Sequence, residues 1–349
     1  MSFLDFFDII EGEPVFLIVT LLIGGVVFVN GWTDAPGAIT ASVSTGALKM
    51  KSAAILSAIF NFVGALTLGI LNPSVMQSVG EITMLIGYGE GALSVLCAAM
   101  LSIILWATLA WYFGIPTSES HALISGVLGA AMSVGAEING ESFSALKLAF
   151  VGLIFSLPIG CLLGFCVSKV LNFVLGYINV KNRECFLRRG QIIGAASMSF
   201  MHGAQDSQKF AGVFVAAMCM TSKVPSEIGI NNAPMWVSIA CSLIIAAGTS
   251  VGGYRIIKKV GMETVKLDAC KGLASDIAGA SCMLVASIGG IPVSTTHTSS
   301  ASIIGAGISD KSSKLNLSSF RDMILAWLFT FPSCGLMSYI FAKLFLLIF

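Results

Sequence analysis

The chain has 349 residues, 56% of them hydrophobic and 11% charged, with a formal net charge of +1. Soluble domains carry about 25% charged residues, so an ordinary soluble domain is excluded, and no Lys/Arg cluster offers a nucleic-acid partner a binding patch. Apolar runs of the roughly 20 residues that a bilayer requires recur along the chain. The fold class is therefore an all-α polytopic membrane protein, with the lipid bilayer as its surroundings.

In chain order, residues 1–14 form an acidic segment that lacks the basic start of a cleavable signal peptide. A span from Pro14 to Val29 breaks at Asn30-Gly-Trp-Thr-Asp-Ala-Pro-Gly37, which sets Asp34 at membrane depth. A short small-residue helix, Ala38 to Leu48, follows. Ser52 to Leu71 is a second span, Asn72 to Glu90 a loop, and Gly91 to Phe113 a third span. Residues 116–135 then count as one crossing, and Phe143 to Val167 as another.

Lys169 to Arg189 holds five basic residues against one acid and reads as the link between halves. The second half repeats the plan. Ile192 to Phe200 leads to a Gly-containing break, Met201 to Lys209, carrying Asp206, and then to a short helix, Phe210 to Met220. A span from Ala233 to Gly253, a basic loop from Arg255 to Lys271, and Gly272 to Gly289 follow. A polar loop with Lys311 and Lys314 precedes the last span, Phe320 to Phe349. The nine cysteines show no CxxC pair and no metal spacing, so they read as small hydrophobes inside apolar runs.

Two segments organise this plan. Gly114-Ile-Pro-Thr-Ser-Glu-Ser-His121 recurs 176 positions later as Gly290-Ile-Pro-Val-Ser-Thr-Thr-His297. Each punctuates the backbone with Gly and Pro, supplies hydroxyls and a His, and runs into a small-residue helix. Proline suits the first helical position, and a helix starting there aims free N–H groups and its positive end at one point, a ready anion site. Gly31-x-x-Asp34 likewise recurs 172 positions later as Gly203-x-x-Asp206. Duplicated broken helices point to a secondary transporter with its site at the bilayer midplane. The expected division is 1–14, a first transmembrane repeat at 15–168, a basic cytoplasmic linker at 169–189 and a second repeat at 190–349.

Five crossings in the first half would turn the second half upside down, giving two inverted-topology repeats. If both Gly-Ile-Pro segments are re-entrant, the inverted relation needs another crossing. The positive-inside rule puts the N-terminus outside and the basic loops in the cytoplasm, as a multi-pass plasma-membrane protein.

The candidate anion ligands are Thr117, Ser118, Ser120, Ser294, Thr295 and Thr296, with Gln205 and Lys209. Asp34 and Asp206 are costly at membrane depth and should be liganded or paired. With Thr33 and Gln205 they form candidate cation sites for Na⁺, whose hard-ion preference is for oxygen. Lys209 lies one turn beyond Asp206, where an ion pair or anion contact is feasible; Gly37 holds its place in the first half. His121 and His297 are helix-orienting or proton-relay candidates. Glu119 is a possible proton carrier, Asp276 is a further acid at depth, and His202 stands outside the repeat.

At these motifs the chain resembles the inorganic phosphate transporter family, in its bacterial form. The resemblance covers residues 20 to 335 and is closest at His202-Gly-Ala-Gln-Asp-Ser-Gln-Lys209, Lys271-Gly-Leu-Ala-Ser-Asp276 and Gly290 to His297. It implies phosphate import by symport with Na⁺ or H⁺, no cofactor, and a homodimer. It also implies anion ligands on the Ser/Thr of the two Gly-Ile-Pro segments and cation ligands around Asp34 and Asp206. The family's Asn before each Asp is Thr33 and Gln205 here, Asp276 replaces a Glu, and Glu119 stands where a small hydroxyl residue is usual. A sulfate-transporting branch shares the pattern.

A passive channel is the remaining rival, and the paired broken helices favour alternating access over it. An intramembrane hydrolase built on Ser118–His121 or Ser294–His297 would have no reason to duplicate its parts, and there is no Gly-x-Ser-x-Gly elbow. An aspartyl protease would set Asp34 and Asp206 in a Gly-x-Gly-Asp context, which neither has. The expectation is a transporter, not an enzyme.

Overall fold

The computed structural model describes residues 3–89, 91–137, 139–177, 180–221, 234–251, 253–310 and 315–348. Among them the secondary structure is entirely helical. Helix α1 (Phe3–Gly12) packs on α2 (Pro14–Thr33), its Phe6 ring meeting Phe16, Phe214 and Trp236. The chain then breaks as expected. A 3-10 turn, Ala35–Ile39, joins α2 to the short α3 (Thr40–Ser44). Pro36, second in that turn, has no N–H to continue the ladder and its ring excludes an unbroken helix.

Helix α4 (Met50–Leu71) leads to α5 (Ser74–Thr83), so the stretch 72–90, read as a loop, is corrected. Its Val75, Met76, Val79 and Ile82 follow helical spacing and are buried. Helices α6 (Ala92–Tyr112), α7 (Glu119–Ser133) and α8 (Gly140–Tyr177) complete the first half. The basic stretch 169–189 is not a loop, since α8 runs to Tyr177 and α9 (Val180–Met220) starts just after it.

The second expected break is absent. Helix α9 continues through 201–209 for 41 residues in all. No proline lies in that stretch, and Gly203 serves contact rather than bending: a Cβ there would sit 2.1 Å from the Asn61 carbonyl oxygen of α4. Beyond come α10 (Met235–Val251), the short α11 (Tyr254–Ile257) with a π-helical turn (Lys258–Thr264), α12 (Ala269–Ile288), α13 (Thr295–Ile308) and α14 (Leu317–Ile348). The basic stretch 255–271 is thus partly helical, whereas Lys311 and Lys314 lie outside the described residues.

Among the described residues six helical segments are long and apolar enough to cross a membrane, counting Pro14–Ser44 as one, or seven if α10 and the segment after it, bent by 68°, count as one. Helices α7 and α13, of 15 and 14 residues, reach only about 22 Å at 1.5 Å per residue. That falls short of a hydrocarbon core of about 30 Å. By length alone, the helix within 116–135 is shorter than the full crossing expected there.

The halves exchange partners. Helix α2 packs on α10 while α9 packs on α4, and α7 packs on α14 while α13 packs on α8. Gly31 presses on the Ile245 carbonyl of α10 as Gly203 presses on the Asn61 carbonyl of α4. Such reciprocal contacts are what a two-fold relation between repeats produces. It brings the starts of α7 and α13 face to face.

Candidate functional site

Each Gly-Ile-Pro segment folds in the same way. Gly114 and Gly290 adopt φ of +68° and +65°, a left-handed turn that favours glycine. Extended residues follow, and α7 and α13 begin at Glu119 and Thr295. The prolines therefore lie ahead of the helices rather than at their first positions, a correction to the expected start. Ser118 and Ser294 are the N-caps, their hydroxyls accepting from the His121 and His297 backbone N–H groups at 3.2 and 3.1 Å. Those two hydroxyls finish the helices in this state.

The helix starts meet Asp34 and Asp206. The Glu119 N–H points at Asp34 Oδ2 from 3.5 Å, and the Thr295 hydroxyl donates to Asp206 Oδ2 at 3.2 Å. Thr296 sits beside the Asp34 carboxylate. Thr33 lies with its hydroxyl 2.5 Å from Glu119 Oε1 and 2.9 Å from the Val29 carbonyl. Lys209 donates to Asp206 Oδ1 at 2.6 Å, to Ser120 Oγ at 2.8 Å and to the Val293 carbonyl at 2.7 Å. It ties α9 to both Gly-Ile-Pro segments. Asp34, Glu119, Asp206 and Lys209 are all 5% exposed or less.

The His121 and His297 rings stand 4.4 Å apart between centroids. His121 Nδ1 lies 2.8 Å from Ser118 Oγ. His297 packs on Trp327 at 4.2 Å and lies beside the Leu153 backbone, away from the Ser294 hydroxyl, which caps the helix instead. Trp327 in turn donates to the Pro116 carbonyl. The Ser294–His297 dyad of a hydrolase is thus not formed.

Two expected site residues, and the further acid Asp276, fall elsewhere or face away. Gln205 points from Asp206 toward Ser287, to which it donates at 2.9 Å. Thr117 lines a separate pocket of about 450 Å³ with Trp106, Phe329 and Asp322. Asp276 is buried against Gly194 of α9, with Oδ2 unpartnered. Among the described residues no three or more His, Cys, Asp or Glu side chains form a metal cage.

Residues 30–338 match the phosphate transporter family. The chain belongs to the phosphate transporter family. It is 36% identical over 308 residues to a "probable low-affinity inorganic phosphate transporter" of Bacillus subtilis, covering 87% of this chain and 89% of that protein. One of the same description from Rhizobium meliloti is 33% identical, over 89% and 90% of the two chains. Among solved structures, "the sodium-dependent phosphate transporter" shares the fold with a TM-score of 0.82, covering 97% of this chain and all of the other, at 20% identity. Membership of a transporter family removes the hydrolase readings, and the chain is not an enzyme.

This family member also recruits His202, which the sequence set outside the repeat, and Asn30, which it did not single out. His202 Nε2 approaches Asp206 Oδ2 at 3.3 Å, and its Nδ1 pairs with Asn61 Oδ1 at 3.0 Å. Asn30 Nδ2 donates to the same Asp206 oxygen at 2.8 Å. For His202 the signal was present, since it stands four residues before Asp206, whereas the Asn30 contact to Asp206 depends on how the halves dock. An assumed break at 201–209 hid the His202 signal, because only a continuous helix brings i and i+4 onto one face.

Proposed function

We propose that this protein is a multi-pass symporter of the cell membrane that imports inorganic phosphate together with a cation, Na⁺ or H⁺. The observation that carries the reading is the convergence of two capped helix N-termini on two buried aspartates, in a chain of the phosphate transporter family. A helix N-terminus favours an anion. A multiply charged anion does not enter a low-dielectric interior beside carboxylates unless cations come with it.

In this reading the N–H groups at the starts of α7 and α13, with the hydroxyls of Ser120 and Thr296, hold phosphate, while Lys209 stays paired with Asp206 beside them. Asp34 and Thr33 hold the coupling cation. The two repeats are inverted in the membrane, meet at its midplane, and rock about the site to alternate access. The N-terminus faces outward, the basic segments face the cytoplasm, and the protein works as a homodimer.

Labelled phosphate uptake into proteoliposomes tests this, with an inward Na⁺ gradient, a proton gradient or neither, each with and without excess sulfate. Gradient-driven uptake that ignores sulfate is the expected result. Uptake abolished by sulfate would move the substrate to that anion, and a folded protein inert under every gradient would end the transporter reading.

A further inference from the structure

The two halves treat their aspartates differently. Asn30, Thr33, Asp34 and Gly37 correspond, at the same offset of 172, to His202, Gln205, Asp206 and Lys209. Asp206 is fully engaged. Lys209 holds Oδ1, while Asn30, Thr295 and His202 meet Oδ2 at 2.8, 3.2 and 3.3 Å. The three ammonium hydrogens are all used, on Asp206, Ser120 and Val293.

Around Asp34 no tethered cation stands in the matching place. Gly37 occupies it, with its carbonyl accepting from Ser299 at 2.9 Å, and a Cβ there would already lie 3.3 Å from that hydroxyl. Asp34 has a second acid, Glu119, for a neighbour. Glu119 Oε2 and Asn30 Oδ1 are buried without hydrogen-bond partners. Asn30 lies beside Glu119 and Thr296 beside Asp34. Two carboxylates with a carbonyl and hydroxyl oxygens around them, largely dehydrated, are the ligand set of a hard cation.

We infer that the Lys209 ammonium is a tethered cation that permanently fills the second-half cation position, so that this chain exchanges one cation only, in the first half between Asp34 and Glu119. The inference rests on the symport reading and sharpens it, since a symmetric pair of sites would exchange two. It also gives Glu119 a role with no counterpart in the other half, where Thr295 takes its place and spends its hydroxyl on Asp206. In the second half the lysine satisfies the acid; in the first the acids are left for an ion.

The test counts Na⁺ ions by linkage. An ion bound only by the folded state raises stability with its concentration, and the limiting slope reports how many ions bind. Full-length protein in detergent is titrated with NaCl against choline chloride, following thermal unfolding, alongside the Na⁺ dependence of phosphate uptake. Lys209→Met should bind one more Na⁺ than the wild type, with a correspondingly steeper uptake curve. Asp206→Asn combined with Lys209→Met, which removes both charges, should return to the wild-type slope. A Lys209→Met slope equal to that of the wild type overturns the inference whichever cation drives transport. Should that variant not fold, the wild type decides. A slope of two ions, or Asp34→Asn retaining a one-ion slope, overturns the inference equally. Loss of uptake under every gradient in folded wild-type protein would instead count against symport itself.

Discussion

Lys209 Nζ lies 2.6 Å from Asp206 Oδ1, and each side chain is 2% exposed, so the ion pair is enclosed within the helical bundle. Water cannot replace either partner there. Breaking a buried pair from one side costs about 3–5 kcal/mol, because the remaining charge is left uncompensated.

Asp206→Asn should therefore lower stability by about that amount, while Asp34→Asn should not, since Asp34 has an acid beside it rather than a lysine. Both variants should lose phosphate uptake. Thermal unfolding in detergent beside uptake in proteoliposomes separates the two effects, and equal destabilisation by both would contradict the asymmetry of the site.

The two motif glycines should differ in the same graded way. Gly114 and Gly290 both have left-handed φ, which costs another residue about 1–2 kcal/mol. A Cβ at Gly290 would also come 2.9 Å from the Ser74 Cβ, whereas at Gly114 the nearest atom is 3.8 Å away. Gly290→Ala should be the more destabilised of the pair in thermal unfolding, and the more impaired in uptake because it shifts the approach to α13.

The caps give a milder effect. Ser118→Ala and Ser294→Ala each remove the acceptor for a helix-start N–H, at a cost of about 1 kcal/mol. Threonine at either position should restore stability, since it caps through the same oxygen. Failure of threonine to restore uptake along with stability would show that the site needs more from these serines than a helix start.

How much of this was legible in the sequence depended on what kind of signal each residue left. Pro36 marked the first break because a missing N–H is a local property. The second break was read by analogy, from the matching Gly and Asp alone, yet Gly203 is small for the sake of α4 and does not interrupt α9. Helix α5 was missed because the glycines and acids of the stretch 72–90 masked a regular apolar stripe. The Gly-Ile-Pro segments were found as repeats, but a repeat does not say which hydroxyl caps a helix and which faces the site. That depends on backbone direction, as the separate fates of Thr117, Ser118 and Ser120 demonstrate. The meeting of His121 with His297, and of Glu119 with Asp34, depends on how the halves dock.

A close contact between α4 and α9 offers a test that links packing to the site. A Cβ at position 203 would lie 2.1 Å from the Asn61 carbonyl oxygen and 2.5 Å from its Cα, so α4 and α9 must separate to admit one. Such overpacking costs about 1–3 kcal/mol. Asn61 also holds His202 Nδ1 at 3.0 Å, and His202 reaches Asp206, so the displacement carries into the ion-pair network. Gly203→Ala should accordingly lose stability and uptake together. Gly176→Ala is the contrast, because nothing lies within 4 Å of its Cβ. There, within α8, alanine should raise stability by about 0.5–1 kcal/mol and leave uptake as it was. Unfolding temperatures of the two variants in one detergent should move in opposite directions; a Gly203→Ala protein as stable as the wild type would mean that α4 and α9 do not pack this closely.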